Sequence, residues 1–335
     1  MNVHSFYDWR IYMTTNGIHQ ITIPTPYNVG DVHVYVHIGE TVTLFDAGVN
    51  TEEAWEAFEI QLKRLKLLPS DIDQVVLTHH HPDHIGFVGR LEHLQGIYGH
   101  EIVDFWLTRD ESYIQHYINY FNELYDLWSV PNKFRHIKYT VDDLIKHTTP
   151  SQLTKRIKEG ERIPNLPSFL VIETPGHAES HLSFLDEETG ALIGGDFLLK
   201  HISSNPLLEP PLQKSKERPK TLLKYRDSMK KILNYSVKTI YPGHGEIFTN
   251  HEPLILERLN KQENRAKHVL SFLQKQVLTP FEICRLLFPK HYETQFGLTM
   301  SETVGQLDYL QSIDEIEQDI IEGQIVYRAK QSQLN

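Results

Sequence analysis

Residues 78–84 read Thr78-His79-His80-His81-Pro82-Asp83-His84 and directly follow the apolar run 75–77. Taken in register, they give His-x-His-x-Asp-His, which offers four metal ligands within six residues. Imidazole and carboxylate ligands suit zinc, manganese or iron, whereas sites for softer metals use thiolates. We predict that a strand directs His79 and His81 toward one metal, and that the turn after it carries Asp83 and His84 to a second.

Three more apolar runs end in glycine or proline and then one potential ligand. Residues 169–172 precede Thr174-Pro175-Gly176-His177, residues 191–193 precede Gly194-Gly195-Asp196, and residues 237–240 precede Tyr241-Pro242-Gly243-His244-Gly245. Short apolar runs bounded in this way are typical of buried strands. One Pro-Gly-His could equally be a plain turn, but all four strand ends together predict one metal site.

With Asp46-Ala47-Gly48 added to these motifs, about the first 250 residues resemble the metallo-β-lactamase superfamily of hydrolases. The resemblance implies an α/β fold, namely an αββα sandwich with a two-metal site at one sheet edge. It implies that the first metal is held by His79, His81 and His177, the second by Asp83, His84 and His244, and that Asp196 bridges them. Asp46 would accept a hydrogen bond from a ligand histidine and fix its tautomer.

The same resemblance implies two divalent metal ions as cofactors, with zinc favoured and iron or manganese left open. The ligand set contains no cysteine, as in the hydrolytic branches that bind two similar metals. Phe87 departs from the family pattern, because many relatives have a second glycine after Gly86. This change would alter the local turn without removing a ligand.

Composition limits the choice of compartment and partner. The 335-residue chain has a formal net charge of −11, which disfavours nucleic acid as a partner. Its single cysteine, Cys284, excludes an intrachain disulfide and fits a reducing cytosol. Residues 1–10 lack a signal pattern, and no apolar run approaches the roughly 18 residues of a membrane span. We therefore expect a cytoplasmic protein with a small-molecule substrate and no membrane contact.

The chain is expected to form a catalytic domain over 1–250 and a smaller C-terminal domain over 251–335. Within the first, we expect strands at 18–23, 32–38 and 41–45, a helix at 52–67, and a helical cap inserted at about 100–165. Aromatic residues of the cap, among them Tyr117 and Trp128, would line an apolar substrate site. Alternatively, they pack the cap onto the sandwich or onto a second copy in a homodimer.

The C-terminal part has the pattern helix, helix, helix, strand. A helix is expected at 253–274, a second begins with the capping residues Thr279-Pro280-Phe281-Glu282, a third covers 301–310, and a strand covers 324–328. This order resembles the winged-helix-like tail of the lactamase-β-like branch of the superfamily. DNA binding is one interpretation. Because acids outnumber bases near the end of the chain, we favour packing beside the active site.

The expected chemistry is attack by a hydroxide that bridges the two metals, with Asp83 orienting it or passing its proton onward. The loop after Asp196 would border the site, so Lys200, His201 and Asn205 are candidate substrate contacts. His80 occupies the off-register position and is expected to point away.

Three functions remain open at this point. The first is hydrolysis of an acyl compound, such as a thioester of the glyoxalase II type, a lactone or another ester. The second is a phosphodiesterase or endoribonuclease acting on single-stranded RNA, for which the cap supplies aromatics and Lys214, Lys216, Arg218 and Lys220 supply a short basic run. The third is a non-catalytic or redox role. The ligand set and the apolar cap favour the first.

Overall fold

Two β-sheets form the centre of the protein, which is described by a computed structural model over residues 17–213 and 217–331. The N-terminal pattern and the basic residues Lys214 and Lys216 lie outside the described residues. The first sheet has the order β1-β2-β3-β4-β5-β6. Its strands are β1 (Ile18–Ile23), β2 (Val32–Ile38), β3 (Val42–Phe45), β4 (Gln74–Val76), β5 (Gly96–Gly99) and β6 (Lys155–Arg156). Strands β1 to β3 are antiparallel neighbours, and β3 to β6 run parallel.

The second sheet has the order β11-β10-β9-β8-β7. Its strands are β7 (Arg162–Ile163), β8 (Leu166–Glu173), β9 (Leu182–Asp186), β10 (Ala191–Gly195) and β11 (Thr239–Pro242). Strands β7 to β10 are antiparallel neighbours, whereas β10 and β11 run parallel. Each apolar run quoted from the sequence therefore overlaps a strand, as predicted, although β4 ends at Val76 and β11 begins at Thr239.

Helices cover the outer faces of both sheets. Side chains alternate along β2, so that Val34 and Val36 face the helical side while Tyr35 faces the second sheet. Helix α1 (Glu52–Arg64) packs Phe58 on the first sheet, and α6 (Thr221–Ile232) packs Tyr225 on the second. The predicted αββα sandwich is thus confirmed.

The other α-helices of the described residues range from 4 to 23 residues in length. They are α2 (Pro82–Ile85), α3 (Glu101–Leu107), α4 (Glu111–Leu127), α5 (Ile137–Lys146), α7 (His251–Leu273), α8 (Pro280–Leu287) and α9 (Phe296–Ser312). Helices α3 to α5 correspond to the predicted cap, while residues 155–156 and 162–163 of the predicted insertion belong to the two sheets. Of the helices within the described ranges, none is long and apolar enough to cross a membrane.

The C-terminal part consists of α7, α8, α9 and a hairpin of β12 (Ile316–Ile321) and β13 (Gln324–Ala329). The capping box predicted at the start of α8 forms, since Thr279 and Glu282 exchange both hydrogen bonds. Strand β12 was not predicted, because Glu317 and Asp319 interrupt its apolar pattern and only Ile316 is buried. Helices α8 and α9 pack against the cap through an apolar cluster, most of it aromatic, that includes Phe121, Trp128, Phe134, Phe281 and Met300.

Phe87 is the residue at which the sequence departs from the expected second glycine after Gly86. Its ring is fully buried and lies 4.8 Å from the ring of Phe58 and 5.4 Å from that of Trp55, measured between centroids. A Cβ at Gly48 would lie 2.4 Å from the Phe87 ring, and Gly48 has φ 43°. The larger side chain at 87 therefore requires a glycine at 48 in this packing.

Replacing Gly48 by alanine should lower the free energy of unfolding by about 2–3 kcal/mol, because it adds both a clash and left-handed backbone strain. Phe87→Leu should then cost less in the Gly48→Ala background than in the wild type, since it removes the atoms of the clash. Urea unfolding of both single variants and the double variant measures this coupling. Strictly additive losses would contradict the contact.

Candidate metal centre

The seven predicted ligands come together at one edge of the sandwich. Because β3 and β4 run parallel, and β10 and β11 do so in the other sheet, the carboxyl ends of each pair meet. Strand β8 points the same way as β10, since both are antiparallel to β9. The segments after these strands carry His79, His81, Asp83, His84, His177, Asp196 and His244. Their donor atoms form three groups, each with all its atoms within 4.8 Å of one another.

The first group is His79, His81 and His177, and one ring nitrogen of each points toward the other two. His79 Nε2 lies 2.9 Å from His81 Nδ1, which lies 3.1 Å from His177 Nε2. Two nitrogens bound to one tetrahedral zinc at about 2.0–2.1 Å are separated by about 3.3 Å. The spacing of these nitrogens is therefore close to that of ligands on one divalent ion.

The second group is Asp83, His84 and His244. It is joined to the first group through Asp196. Its Oδ1 lies 3.4 Å from His84 Nε2, and its Oδ2 lies 3.5 Å from both His177 Nε2 and His244 Nε2. Asp83 Oδ2 lies 3.3 Å from His244 Nε2. The Asp196 carboxylate thus lies between the two groups of histidines, as expected for a bridging ligand.

Hydrogen bonds on the outer side of the rings fix their tautomers. His177 Nδ1–H donates to the carbonyl oxygen of Asn205 at 3.0 Å, and His244 Nδ1–H to that of Asp31 at 2.7 Å. Thr78 donates its hydroxyl to Asp46, so it accepts from His79 Nδ1–H at 2.9 Å. Each ring therefore turns Nε2 toward the centre, and in the neutral ring this nitrogen is the one free to bind a metal.

Several of the inner atoms make no hydrogen bond within the described residues. Within the described part of the chain, His84 Nε2, His244 Nε2 and Asp196 Oδ1 are buried and make no hydrogen bond. An unpaired buried polar atom is costly, and several of them around one point call for a ligand. Divalent ions would complete all three, so the residues fit the group that the superfamily implies.

The charges of the ligands also suit metal binding. Burial lowers the pKa of His79 and of His81 well below the ordinary range, so both rings are neutral at pH 7. Burial alone would raise the pKa of Asp196, but His244 and His84 outweigh it and hold that pKa well below its usual value. Neutral imidazole and ionised carboxylate are the forms that coordinate metals.

Asp46 connects the first sheet to the ligands. It follows β3 with φ 63°, an uncommon conformation for a residue other than glycine that is often found at functional sites. Its carboxylate accepts from the Thr78 backbone N–H at 2.7 Å, from the Thr78 hydroxyl at 2.8 Å and from His84 Nδ1–H at 2.7 Å. Asp46 therefore orients His84 and Thr78 together, which matches its predicted role.

Two supporting residues were not found from the sequence. His181 is buried, and its Nε2 accepts the backbone N–H of Asp196 at 3.1 Å. A Cβ at Gly243 would lie 2.2 Å from Asp196 Oδ1, so the residue before His244 must be glycine. The only sequence signals were the spacing of His181 after His177 and the Pro-Gly before His244.

A row of contacting rings leads from the ligands into the cap. His80 points away from the centre as predicted, and its Nδ1 is 2.8 Å from Ser180 Oγ. Its ring lies 5.0 Å from that of His81 and stacks on Trp106 at 5.3 Å. Trp106 in turn contacts Tyr117 at 5.5 Å. Tyr117 is partly buried and lies two rings beyond His80 in this row.

The other predicted substrate contacts lie in different surroundings. Lys200 and His201 are exposed and both bind the carboxylate of Glu246, two residues after His244. Asn205 contributes its backbone carbonyl to His177. Trp128 is 2% exposed and packs in the cluster between the cap and the C-terminal helices, so the structure does not bring it together with the ligands.

Comparison with known proteins agrees with this geometry. A sequence profile of the metallo-beta-lactamase superfamily matches residues 27–244. A protein of Bacillus subtilis (strain 168) named "Probable metallo-hydrolase YqjP" is 38% identical over 315 residues, which cover 94% of this chain and 98% of that protein. This chain belongs to the metallo-β-lactamase superfamily. It is accordingly a metal-dependent hydrolase whose His and Asp cluster fits a divalent metal site.

Two further comparisons are informative. The crystal structure of the metallo-beta-lactamase family protein TTHA1429 from Thermus thermophilus superimposes with a TM-score of 0.78 at 26% identity, covering 94% of this chain and 99% of that one. An atrochrysone carboxyl ACP thioesterase of Aspergillus fumigatus is 29% identical over 101 residues. That match covers 30% of this chain and 28% of the thioesterase.

Asp46→Asn should weaken metal binding about 10- to 100-fold, because it removes the charge that orients His84. Competition with a chromophoric chelator measures the affinity. Asp73→Asn is the matched control, since Asp73 also accepts a backbone N–H, that of Val42 at 2.7 Å, but precedes β4 at its opposite end. Equal weakening in both variants would show that Asp46 has no special role.

Proposed function

We propose that this protein hydrolyses an acyl compound, namely a thioester, ester or lactone, at a centre of two divalent metal ions, with zinc as the favoured metal. The observation that carries the proposal is the position of Asp196, whose Oδ2 lies 3.5 Å from Nε2 of His177, a predicted ligand of the first metal, and 3.5 Å from Nε2 of His244, a predicted ligand of the second. A carboxylate so placed is suited to bridge two ions. The zinc assignment is supported by the nitrogen-rich ligand set without thiolate.

The residues of the centre would then divide the chemistry among them. Bound divalent metals supply Lewis acidity and make water acidic enough to yield hydroxide near neutral pH. Asp83 has a lowered pKa, since His84 and His244 outweigh the effect of its burial, and it is therefore ionised at pH 7. Its side chain is about one-tenth exposed, so it can orient a water molecule and accept a proton from it.

The cap supports an acyl substrate with an apolar part. The rings of Trp106 and Tyr117 continue the row that starts at His80, so aromatic side chains connect the metal ligands to the cap. The similarity to a fungal thioesterase adds a specific reason to test thioesters, although it covers less than a third of either chain. We propose that the aromatic row receives the acyl group.

The charge of the C-terminal part does not support nucleic acid as the substrate. Glu315, Asp319 and Glu322 are exposed on or beside the β12–β13 hairpin, where a winged helix would approach a phosphate backbone. Negative side chains there would repel it. RNA is therefore included below as the result that would overturn the proposal.

The proposal is tested with purified protein loaded with zinc, assayed against acyl thioesters, aryl esters, lactones, a phosphodiester and single-stranded RNA. We expect turnover of at least one acyl class, lost on treatment with a chelator and restored by zinc. Turnover of RNA or of the phosphodiester without turnover of any acyl compound would overturn the acyl assignment while leaving the metal centre intact.

Asp83→Asn should reduce kcat at least about 100-fold and change KM much less, because the amide keeps the shape of the side chain but cannot accept the proton. The metal content of the variant is measured in the same sample, so that loss of metal is not mistaken for loss of chemistry. Wild-type turnover in a metal-replete Asp83→Asn protein would remove Asp83 from the mechanism.

The two cap aromatics should behave differently. Tyr117→Ala should raise KM about tenfold or shift the preferred acyl group, with metal content unchanged, because Tyr117 lies in the row of rings that leads from His80 into the cap. Trp128→Ala should instead lower the free energy of unfolding by about 3–5 kcal/mol and leave KM unchanged. Steady-state kinetics and urea unfolding of both variants distinguish these outcomes. A Tyr117→Ala protein with only a stability defect would assign Tyr117 to packing.

A further inference from the structure

Residues 204–211, which we call the strap, run between the loop that carries His177 and helix α9. The strap has no regular secondary structure, yet most of its residues are buried. A buried irregular segment cannot satisfy its backbone groups within a helix or sheet and must find partners elsewhere. The partners of the strap therefore show both what it holds and what holds it.

On one side, the strap binds the loop of the metal ligand. Its Asn205 carbonyl accepts His177 Nδ1–H at 3.0 Å, and the Leu207 N–H donates to the His177 carbonyl at 3.4 Å. Two residues further along that loop, the N–H of Glu179 donates to Glu209 Oε1 at 2.9 Å. One segment thus fixes the ring of His177, its carbonyl group and the backbone two residues later.

On the other side, the strap donates a hydrogen bond to a hydroxyl of helix α9, and Leu208 packs in the same apolar cluster as Met300 and Val304 of that helix. The Leu208 N–H donates to Ser301 Oγ at 3.1 Å. Because Ser301 donates its own proton to the Gly297 carbonyl at 2.8 Å, its oxygen is held as an acceptor for Leu208. Both residues are buried, at 4% exposure each, so water cannot readily replace the hydroxyl. Helix α9 is itself held by a bidentate ion pair between its buried Asp308 and Arg218.

We propose that helix α9 positions the metal ligand His177 through the strap, and that Ser301 is the positioning residue that makes this link. The C-terminal helices then contribute to metal binding although the seven ligands all precede them in the chain. Outer partners that orient a ligand typically set metal affinity as well as geometry. The inference rests on the metal centre and not on the acyl substrate, so a negative substrate screen does not affect it.

The test uses the full chain with Ser301→Ala, titrated with zinc against a chromophoric chelator and with cobalt followed by its visible absorption. We expect the affinity for one of the ions to fall about 10- to 100-fold and the cobalt bands to change, since His177 loses its fixed orientation. Thr303→Val is the matched control. Its buried hydroxyl lies on the same helix but donates to the Thr299 carbonyl within that helix.

Wild-type affinity in Ser301→Ala, or equal weakening in Thr303→Val, would overturn the proposal. A second measurement needs no variant and covers the case in which Ser301→Ala fails to fold. In metal-free wild-type protein, the backbone amide of Leu208 should exchange with deuterium as slowly as the amides of α9, because both open together. Fast exchange at Leu208 beside a protected α9 would show that the helix does not hold the strap.

Discussion

The buried carboxylate of Asp196 is the interaction on which the rest of the centre depends. Its oxygens lie 3.4–3.5 Å from Nε2 of His84, His177 and His244, and within the described residues Oδ1 accepts no hydrogen bond. A negative charge buried in this way is strongly unfavourable unless cations lie beside it. The centre therefore calls for bound metal ions beside Asp196. The space around this carboxylate also restricts its neighbours, since a Cβ at Gly243 would lie 2.2 Å from Asp196 Oδ1.

The sandwich supplies this arrangement because parallel strands end at a common edge. Rigid strands deliver the ligands, while irregular segments orient them through backbone groups, as the carbonyl of Asn205 does for His177. The polar groups of these segments are buried and must be paired, which explains why the cap and the C-terminal helices pack against the same region. The aromatic cluster around Phe121 and Phe281 joins these two parts to each other.

The sequence indicated which side chains come together because each follows a local pattern, namely an apolar run followed by a motif such as 79–84. The sandwich and the division of the ligands between two metals came from the family resemblance. The sequence did not predict His181, whose role depends on a hydrogen bond to the backbone of Asp196, 15 residues later in the chain. Strand β12 was missed because most of its side chains are exposed, which removes the alternation that marks a half-buried strand. The sequence also did not predict that Trp128 packs between the cap and the C-terminal helices. An aromatic residue at helical spacing is compatible with a substrate site and with a packed interface.

The most direct test of the account is a crystal structure of the metal-loaded protein with anomalous diffraction recorded at the absorption edge of the metal. We expect two anomalous peaks about 3.5–4 Å apart. The Asp196 carboxylate should be bonded to both ions, either through one shared oxygen or through one oxygen to each ion. The first ion should also be bonded to His79, His81 and His177, and the second to Asp83, His84 and His244. A single fully occupied peak, or an Asp196 carboxylate bonded to neither ion, would contradict the account.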